Sequence, residues 1–419
     1  MERVVQPVLA GVVSAVVGFA GAFTVVLTGL RAVGADDQQA ASGLLVVSVI
    51  CGIIALALGL RYRMPISIAW STPGAALLVA ASAEGRGGNV VSSVHGGFPA
   101  AVGAFLLCGV LIVVTGLVSP LGRLVAAIPG HLAGAMLAGV LLPLCLTPVR
   151  ALAEVPLLAA PVIVVWAVVG RFARAWAVPA ALAVAVTAIL VTGGVPAGAA
   201  VAPALVWTAP AFDLATMVGL GLPLFIVTMA SQNVTGMAVL AQFGYQAPWR
   251  PVLLTTGVGT ILGAPFGGHA VNLAAISAAL TAGPDAGPAH RRWISSVSNG
   301  LSLAALGLTA GVATAVLAAS PPVLVEAVAG LALLGALASS ITAALAEPDG
   351  REAATVTFVV TAAGIGFVGL GSAFWGLVAG LAMTLLHRRR RPAQPVGESA
   401  SPRRTSNGPI SGSRPRNAR

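Results

Sequence analysis

The feature that most constrains this chain is a succession of apolar runs, each long enough for a membrane-spanning helix, across residues 1–387. Hydrophobic residues make up 58% of the sequence and charged residues 8%, whereas a soluble domain carries roughly 25% charged residues. A chain this apolar cannot cover its own surface in water, but it suits a lipid bilayer. The sequence therefore predicts an all-α polytopic membrane protein.

The apolar runs divide into fourteen predicted segments, in two sets of seven separated by a Pro/Gly/Ala-rich connection at 194–211. The predicted segments are 6–30, 40–60, 65–82, 97–119, 122–146, 152–170, 175–193, 212–234, 250–266, 267–282, 291–319, 321–345, 352–370 and 372–387. The third segment of each set, which is segment 3 or 10 of the whole chain, is short and broken by Pro or Gly. Because seven is odd, the second set crosses the membrane in the opposite sense, so the pattern predicts a 7+7 inverted repeat.

Arg placement predicts the orientation. Most of the net charge of +10 lies in residues 388–419, which hold nine Arg and the single acid Glu398 and are expected to be a disordered basic cytoplasmic tail. With the N-terminus in the cytoplasm, only Arg31, Arg86 and Arg150 of the 22 basic residues fall outside. This bias predicts a multi-pass protein of the cytoplasmic membrane with both termini cytoplasmic, and it argues against a nucleic-acid surface.

The two broken segments predict a binding site. Each has an extended stretch with Pro or Gly that leads into a helix of small residues, at 68–78 and 265–276. Half-helices that begin inside the membrane leave their first N–H groups unpaired, so two such ends facing one another would bind an anion such as a carboxylate. The alternative is that Pro and Gly only kink packed helices. The candidate residues are Ser71, Thr72 and Gly74 in the first segment and Gly267, Gly268, His269 and Asn272 in the second.

A third polar patch lies on predicted span 8, at 228–236. Amide side chains are costly to bury in a bilayer unless they find partners. Gln232 or Asn233 could point into a substrate cavity, where a neutral donor would suit a carboxylate. The alternative is that both amides make hydrogen bonds between helices.

Five motifs carry a family resemblance. They are IAWSTPGAALL at 68–78, IPGHLAGAMLAGVLL at 128–142, LPLFIVTMASQN at 222–233, APFGGHAVNLAAI at 264–276 and GFVGLGSAFWGLVAG at 366–380. The chain resembles the benzoate:proton symporter (BenE-type) family, which is similar in fold to uracil permeases and sulfate permeases. The resemblance implies that segments 3 and 10 contain short strands that cross near mid-membrane, with substrate between them and span 8.

The same resemblance implies a division into two domains. The core domain would comprise residues 1–120 and 212–320, the gate domain 121–193 and 321–387, with 194–211 as connection and 388–419 as tail. Phe23 and Phe266 would flank the cavity and contact an aromatic ring. Uracil permeases carry acidic residues on span 8 and segment 10, but the matching stretches here hold Gln232 and Gly268-His269, which favours an anion over a neutral nucleobase.

His269 is the candidate for proton coupling, because an imidazole can titrate near neutral pH and this one lies in a broken segment. Its alternative role is a structural hydrogen bond to a freed backbone carbonyl. A further alternative is that the proton travels on the substrate itself, in which case no residue carries it.

These features predict proton-coupled import of benzoate or a related aromatic carboxylate by alternating access, with no cofactor and no metal. The main alternative keeps the fold and changes the cargo to a nucleobase or an inorganic anion. A membrane enzyme is disfavoured because the chain has no HExxH, GxSxG or P-loop motif. A channel would be excluded by concentrative, pH-dependent uptake. A homodimer is expected from the fold analogy alone.

Overall fold

The computed structural model of the chain describes nearly all of the predicted membrane region. The described residues are 2–83, 96–118, 129–192, 202, 204–318, 321–365, 367, 370 and 372–390. Several expectations fall outside them: Arg86, the first part of predicted segment 5, most of the Gly/Ala-rich part of the connection, and the basic tail beyond residue 390.

The described part of the chain is mostly helical, and its elements follow the predicted segments closely. Residues before the connection form α1 (Glu2–Ala20), α2 (Phe23–Ala32), α3 (Asp37–Tyr62), β1 (Ile68–Trp70), α4 (Thr72–Ala83), α5 (Gly97–Leu117), α6 (Gly130–Cys145), α7 (Thr147–Glu154), α8 (Pro156–Phe172) and α9 (Ala177–Thr192). Residues after it form α10 (Leu214–Gln242), α11 (Trp249–Gly263), β2 (Val271–Leu273), α12 (Ala275–Ala282), α13 (Trp293–Gly307), α14 (Ala310–Ala318), α15 (Pro322–Leu345), α16 (Arg351–Ala362) and α17 (Ser372–Arg390).

Within the described residues, seven helices are long and apolar enough to cross a membrane, or eight if α13 and α14, bent by 54°, form one span. Shorter apolar helices lie at other predicted segments, including α4 and α8. The chain is thus a polytopic helical membrane protein, and the count of fourteen segments in an inverted repeat stays a prediction.

The two broken segments pair with each other. Strands β1 and β2 form an antiparallel ladder in which Ala69 lies opposite Asn272. Pro65 and Pro73 bracket β1, and because proline cannot donate a backbone hydrogen bond, neither neighbouring helix can continue through this stretch. The expectation of a short strand in each broken segment is confirmed, and their position near mid-membrane stays a prediction.

Helix α10, the predicted span 8, is interrupted by two π-helical turns, Met217–Gly221 and Met229–Asn233. Such turns insert one extra residue and often mark functional positions. Pro223 follows the first turn, where its missing N–H weakens regular α-helical bonding. The second turn lies within the polar patch at 228–236. Its extra residue changes the direction in which the side chains of that patch point.

The helices pack in two groups. In the first group, α13 packs against α1 and α3, while α11 packs against α5. In the second, α6 packs against α15 and α16, α16 against α17, and α8 against α9. Close approach in the first group depends on glycine, because a Cβ on Gly52 of α3 would lie 2.5 Å from the carbonyl oxygen of Gly300 on α13.

Candidate functional site

Ser71 lies where β1 turns into α4, and it joins three elements. Its N–H donates to the carbonyl oxygen of Ala270 at 2.8 Å, beside the ladder. Its Oγ accepts the N–H of Gly74 at 3.1 Å, which caps the first turn of α4. The same Oγ accepts the hydroxyl of Thr228 on α10 at 3.0 Å. Ser71 therefore holds the first half-helix against both the second broken segment and span 8.

His269 also contacts Ser71. Its Nε2 lies 3.2 Å from the carbonyl oxygen of Ser71, and the ring is fully buried, with the Phe105 ring centroid 6.4 Å away. A carbonyl oxygen only accepts hydrogen bonds, so Nε2 carries the proton in this arrangement. Nδ1 is buried and has no hydrogen-bond partner among the described residues. This nitrogen is an unoccupied proton acceptor beside the start of the first half-helix.

Asn272 completes the polar group at the ladder. Its side chain is fully buried. With the amide oxygen placed towards the N–H of Ser71, that oxygen lies 2.9 Å from Ser71 N and the amide nitrogen lies 3.1 Å from the Leu273 carbonyl oxygen. The structure thus brings together Ser71, His269 and Asn272, three of the predicted site residues, at one end of the ladder.

The two amides of span 8 have different surroundings. The Oδ1 of Asn233 accepts the N–H of Leu273 at 2.9 Å, and Asn233 is 1% exposed. This bond links the second π turn to β2, so the alternative interpretation of a structural hydrogen bond holds for Asn233. Gln232 is half-buried on the same turn. Gly236, further along α10, leaves room for the Leu273 side chain, which would lie 2.8 Å from an added Cβ.

The glycines of the second segment pack against helices that precede them in the chain. Gly267 has a φ of 86° and packs on α3, because a Cβ on Gly43 would lie 2.5 Å from the Gly267 carbonyl oxygen. Gly268 is buried against Gly263. A Cβ added at Gly267 would meet Gln39 and Gly43 of α3 and Phe98 of α5, so this glycine is required for the close packing there.

In the first segment, the small size of Gly74 is required. A Cβ there would lie 2.5 Å from the Leu224 side chain of α10 and 2.8 Å from the Ser71 hydroxyl. Thr72, the first residue of α4, is half-buried. The half-helix is therefore packed directly on span 8.

The two predicted aromatic contacts lie in different places. Phe23 stacks on Phe19 with ring centroids 5.5 Å apart, and Phe19 meets Trp70 of β1 edge to face at 5.9 Å. Phe266 instead packs against Trp207, at 5.4 Å. Only Phe23 belongs to the aromatic group beside the ladder, which we define as Phe19, Phe23 and Trp70.

The starts of the two half-helices lie at opposite ends of the ladder. Ser71 N bonds Ala270 at one end, and Ala274 N bonds the Ser67 carbonyl oxygen at 2.9 Å at the other. Four residue steps of strand separate these two bonds, about 14 Å at roughly 3.4 Å per residue. The two helix starts therefore flank the ladder, and the expectation that they bind one anion between them stays a prediction. The start of α12 has no side-chain cap, unlike that of α4.

Sequence reasoning assigned no role to two threonines. Thr228 donates to Ser71, and Thr260 of α11 accepts the Val271 N–H at 2.9 Å through its Oγ1. Both are fully buried. Thr228 opens the polar patch that sequence reasoning singled out, whereas an isolated Thr inside an apolar helix such as α11 carries no signal, since its hydroxyl can bond its own helix.

The family model described as "BenE: Benzoate membrane transport protein" matches residues 2–386. The chain belongs to the BenE family. A BenE-family protein is a membrane transporter and not an enzyme.

Two curated relatives cover most of the chain. It is 36% identical over 375 residues to "Inner membrane protein YdcO" of Escherichia coli, covering 89% of this chain and 93% of the relative. It is 29% identical over 378 residues to "Benzoate membrane transport protein" of Acinetobacter baylyi, with the same two coverages.

Solved structures share the fold at low identity. The transmembrane domain of the cyanobacterial bicarbonate transporter BicA has a TM-score of 0.57 and 18% identity, over 91% of this chain and 98% of that one. The murine Slc26a9 anion transporter in its inward-facing state has a TM-score of 0.60 and 14% identity, over 93% and 69%. At these identities the likeness concerns architecture alone.

Proposed function

We propose that this BenE-family transporter imports benzoate or a related aromatic carboxylate together with a proton across the cytoplasmic membrane. The observation that carries the proposal is that Phe19, which joins Phe23 and Trp70 in the aromatic group, lies beside α12, the half-helix with the uncapped start. Gly18 precedes Phe19 and lies against Ser277 of α12, with 3.6 Å between an added Cβ and the Ser277 hydroxyl. An aromatic ring bound at Phe19 would therefore lie alongside α12, whose first N–H groups could bind a carboxylate.

The carboxylate would bind the first N–H groups of α12. These groups lack partners within the helix and lie at the positive end of its dipole. Ala274, the residue before α12, contributes no side-chain acceptor that would compete with the substrate. The stretches 228–236 and 264–276 contain no Asp or Glu, so no carboxylate in them would repel an anion.

The proton would bind Nδ1 of His269. This nitrogen is the acceptor left after Nε2 has bonded Ser71. A protonated imidazole adds a positive charge to a buried region. The proposed carboxylate position lies at the other end of the ladder, about 14 Å away at roughly 3.4 Å per residue, and in the low-dielectric interior an anion at that distance still lowers the free energy of the charge. Substrate and proton would therefore favour each other's binding, which is the requirement for symport.

Transport would proceed by alternating access between a core domain, residues 1–120 and 212–320, and a gate domain, residues 121–193 and 321–387. The two packing groups of helices support this division. The proposal includes the 7+7 inverted repeat and cytoplasmic termini, which the Arg bias supports. The homodimer stays a prediction from fold analogy.

The second candidate is the same fold carrying an inorganic anion or a nucleobase. The inorganic anion is supported by the fold that this chain shares with a bicarbonate transporter and an anion transporter. The nucleobase has less support, because the carboxylates of uracil permeases are replaced here by Gln232 and His269.

Uptake of labelled benzoate into proteoliposomes with an imposed inward proton gradient tests the proposal. Protein-free vesicles set the baseline, because benzoic acid crosses lipid unaided. We expect accumulation above that baseline which collapses with a protonophore and is reduced by excess unlabelled benzoate but not by bicarbonate or uracil. If only bicarbonate or uracil reduces uptake, or if folded protein shows no uptake above the baseline, the cargo is a compound other than benzoate.

A further inference from the structure

A crevice separates the two packing groups of helices. Its walls come from α2 and α14 on one side and from α9 and α15 on the other. Apart from one threonine, the lining side chains are aliphatic: Leu182, Ala185, Val186 and Ile189 of α9, Val316 of α14, and Leu324, Val325 and Val328 of α15. Next to Ile189, the side chains of Leu190 and Val191 are 50% and 80% exposed, so α9 carries the crevice on one face and an open apolar surface on the other.

Thr24 of α2 is the threonine in the crevice, and its hydroxyl lacks a partner. The residue is 1% exposed, and Oγ1 makes no hydrogen bond within the part of the chain that the structure describes. In a helix, a Thr hydroxyl commonly bonds the carbonyl one turn earlier, but that bond is absent here. Leaving a buried hydroxyl unpaired is unfavourable, so an acceptor bound in the crevice would be favoured.

Arg31 lies at the end of the same face of α2. It follows Thr24 by seven residues, which is two helical turns, or about 10 Å at 1.5 Å per residue. Its Nη2 lies 2.7 Å from Oδ1 of Asp37 and donates to the Thr314 carbonyl oxygen of α14 at 3.3 Å. Its Nε is buried without a partner among the described residues. One wall of the crevice therefore ends at an Arg–Asp pair in which the Arg31 guanidinium keeps one buried N–H without a partner among the described residues.

These features together select the occupant. A carboxylate at Thr24 would place a charge among aliphatic side chains with a single hydroxyl to bind it, which is unfavourable. An acyl chain suits the aliphatic walls, an ester carbonyl suits the Thr24 hydroxyl, and an anionic headgroup suits Arg31. We propose that the crevice binds one acyl chain of an anionic phospholipid whose phosphate lies at Arg31.

Such a lipid would lie between the two packing groups, independently of what the transporter carries. Because the crevice is bounded by both groups, any movement of one against the other changes its width. A bound chain would therefore favour the arrangement seen here over one in which the crevice is closed. This inference does not depend on benzoate being the substrate.

Native mass spectrometry of the delipidated full chain, titrated with phosphatidylglycerol and phosphatidylcholine, tests the proposal. Ala185→Leu fills the crevice from α9, and Ala183→Leu places the same side chain on the exposed face of that helix as a matched control. We expect one phosphatidylglycerol per chain, bound at least tenfold more weakly by Ala185→Leu and unchanged in Ala183→Leu. Arg31→Gln is expected to remove the preference for phosphatidylglycerol over phosphatidylcholine.

Melting temperatures of the detergent-solubilised variants show whether each one is folded. If Ala185→Leu fails to fold, Thr24→Val tests the same crevice, with an expected loss of a few-fold in phosphatidylglycerol affinity. If Ala185→Leu and Ala183→Leu bind phosphatidylglycerol equally well, the proposal is overturned. Equal binding of phosphatidylglycerol and phosphatidylcholine by the wild type would also overturn it. Displacement of phosphatidylglycerol by benzoate would also overturn it, by showing that the crevice holds the carboxylate.

Discussion

The Nε2 atom of His269 lies 3.2 Å from the carbonyl oxygen of Ser71, which also accepts the N–H of Ala75 at 2.8 Å. The second broken segment is thus bonded to an oxygen that already closes the first turn of α4. Both residues are fully buried, where a hydrogen bond is stronger than in water and an unpaired group costs more. A proton or a substrate that moves His269 would therefore also move the start of the first half-helix.

The first prediction concerns the proton. His269→Gln keeps an N–H donor for the Ser71 carbonyl but cannot hold a proton at the position of Nδ1. We expect benzoate exchange across the membrane to continue, while accumulation driven by the proton gradient falls by at least tenfold. Counterflow and gradient-driven uptake are measured on the same proteoliposomes. Undiminished accumulation in His269→Gln would mean that the proton travels on the substrate or on another group.

The second prediction separates the two amides of span 8. Asn233→Ala leaves the Leu273 N–H buried without its acceptor, at a cost of about 1–3 kcal/mol. We expect a lower melting temperature in this variant. Gln232→Ala, on the half-buried neighbour, is expected to lower the melting temperature less than Asn233→Ala does and to weaken benzoate affinity. If the two variants melt alike, the Asn233 bond does not stabilise the fold as we infer.

The third prediction tests the bond between α10 and α4. Ser71→Ala removes both the cap of α4 and the acceptor for the Thr228 hydroxyl. Loss of the cap alone lowers the free energy of unfolding by about 0.5–2 kcal/mol. Thr228→Val removes only the hydroxyl that donates to Ser71. Because the two side chains bond each other, we expect their effects on the free energy of unfolding to be non-additive by about 0.5 kcal/mol or more. Ser71→Ala combined with Thr384→Val, on α17, is the additive control.

The fourth prediction concerns Gly267. An alanine there would have to adopt a φ of 86° and would place its Cβ 3.0 Å from the Gln39 carbonyl oxygen. Gly97 has a φ of 67°, but no described heavy atom lies within 4 Å of an added Cβ. A left-handed backbone lowers the stability of each alanine variant by roughly 1–2 kcal/mol. The additional loss of stability in Gly267→Ala, compared with Gly97→Ala, therefore measures the packing of this position against α3.

Melting temperatures of both glycine variants provide this comparison. Substrate affinity of the Gly267→Ala protein that remains folded is expected to match the wild type, because Gly267 packs on α3 and not on Ser71. A selective loss of affinity with an unchanged melting temperature would return Gly267 to the binding site.

The sequence predicted those parts of the site that depend on neighbouring residues better than those that depend on residues far apart in the chain. The polar group was predicted in part: Ser71, His269 and Asn272 lie in segments whose Pro and Gly residues prevent a continuous helix, which is a local property of the chain. The roles of Asn233 and Phe266 were not predictable in the same way. Asn233 bonds a residue 40 positions away, and Phe266 meets Trp207 where the Thr208 N–H donates to the Pro265 carbonyl oxygen.

By itself, the sequence determined the class of protein, the positions of its apolar helices and the two places where helices must break. These follow from the length of each apolar run and from residues that cannot continue a helix, so they need no partner in space. Only the tertiary structure decided that Thr228 donates to Ser71, and that the two half-helices begin at opposite ends of one ladder. Those contacts join segments more than 150 residues apart, and their pairing is selected by packing and by the need to satisfy every buried polar group.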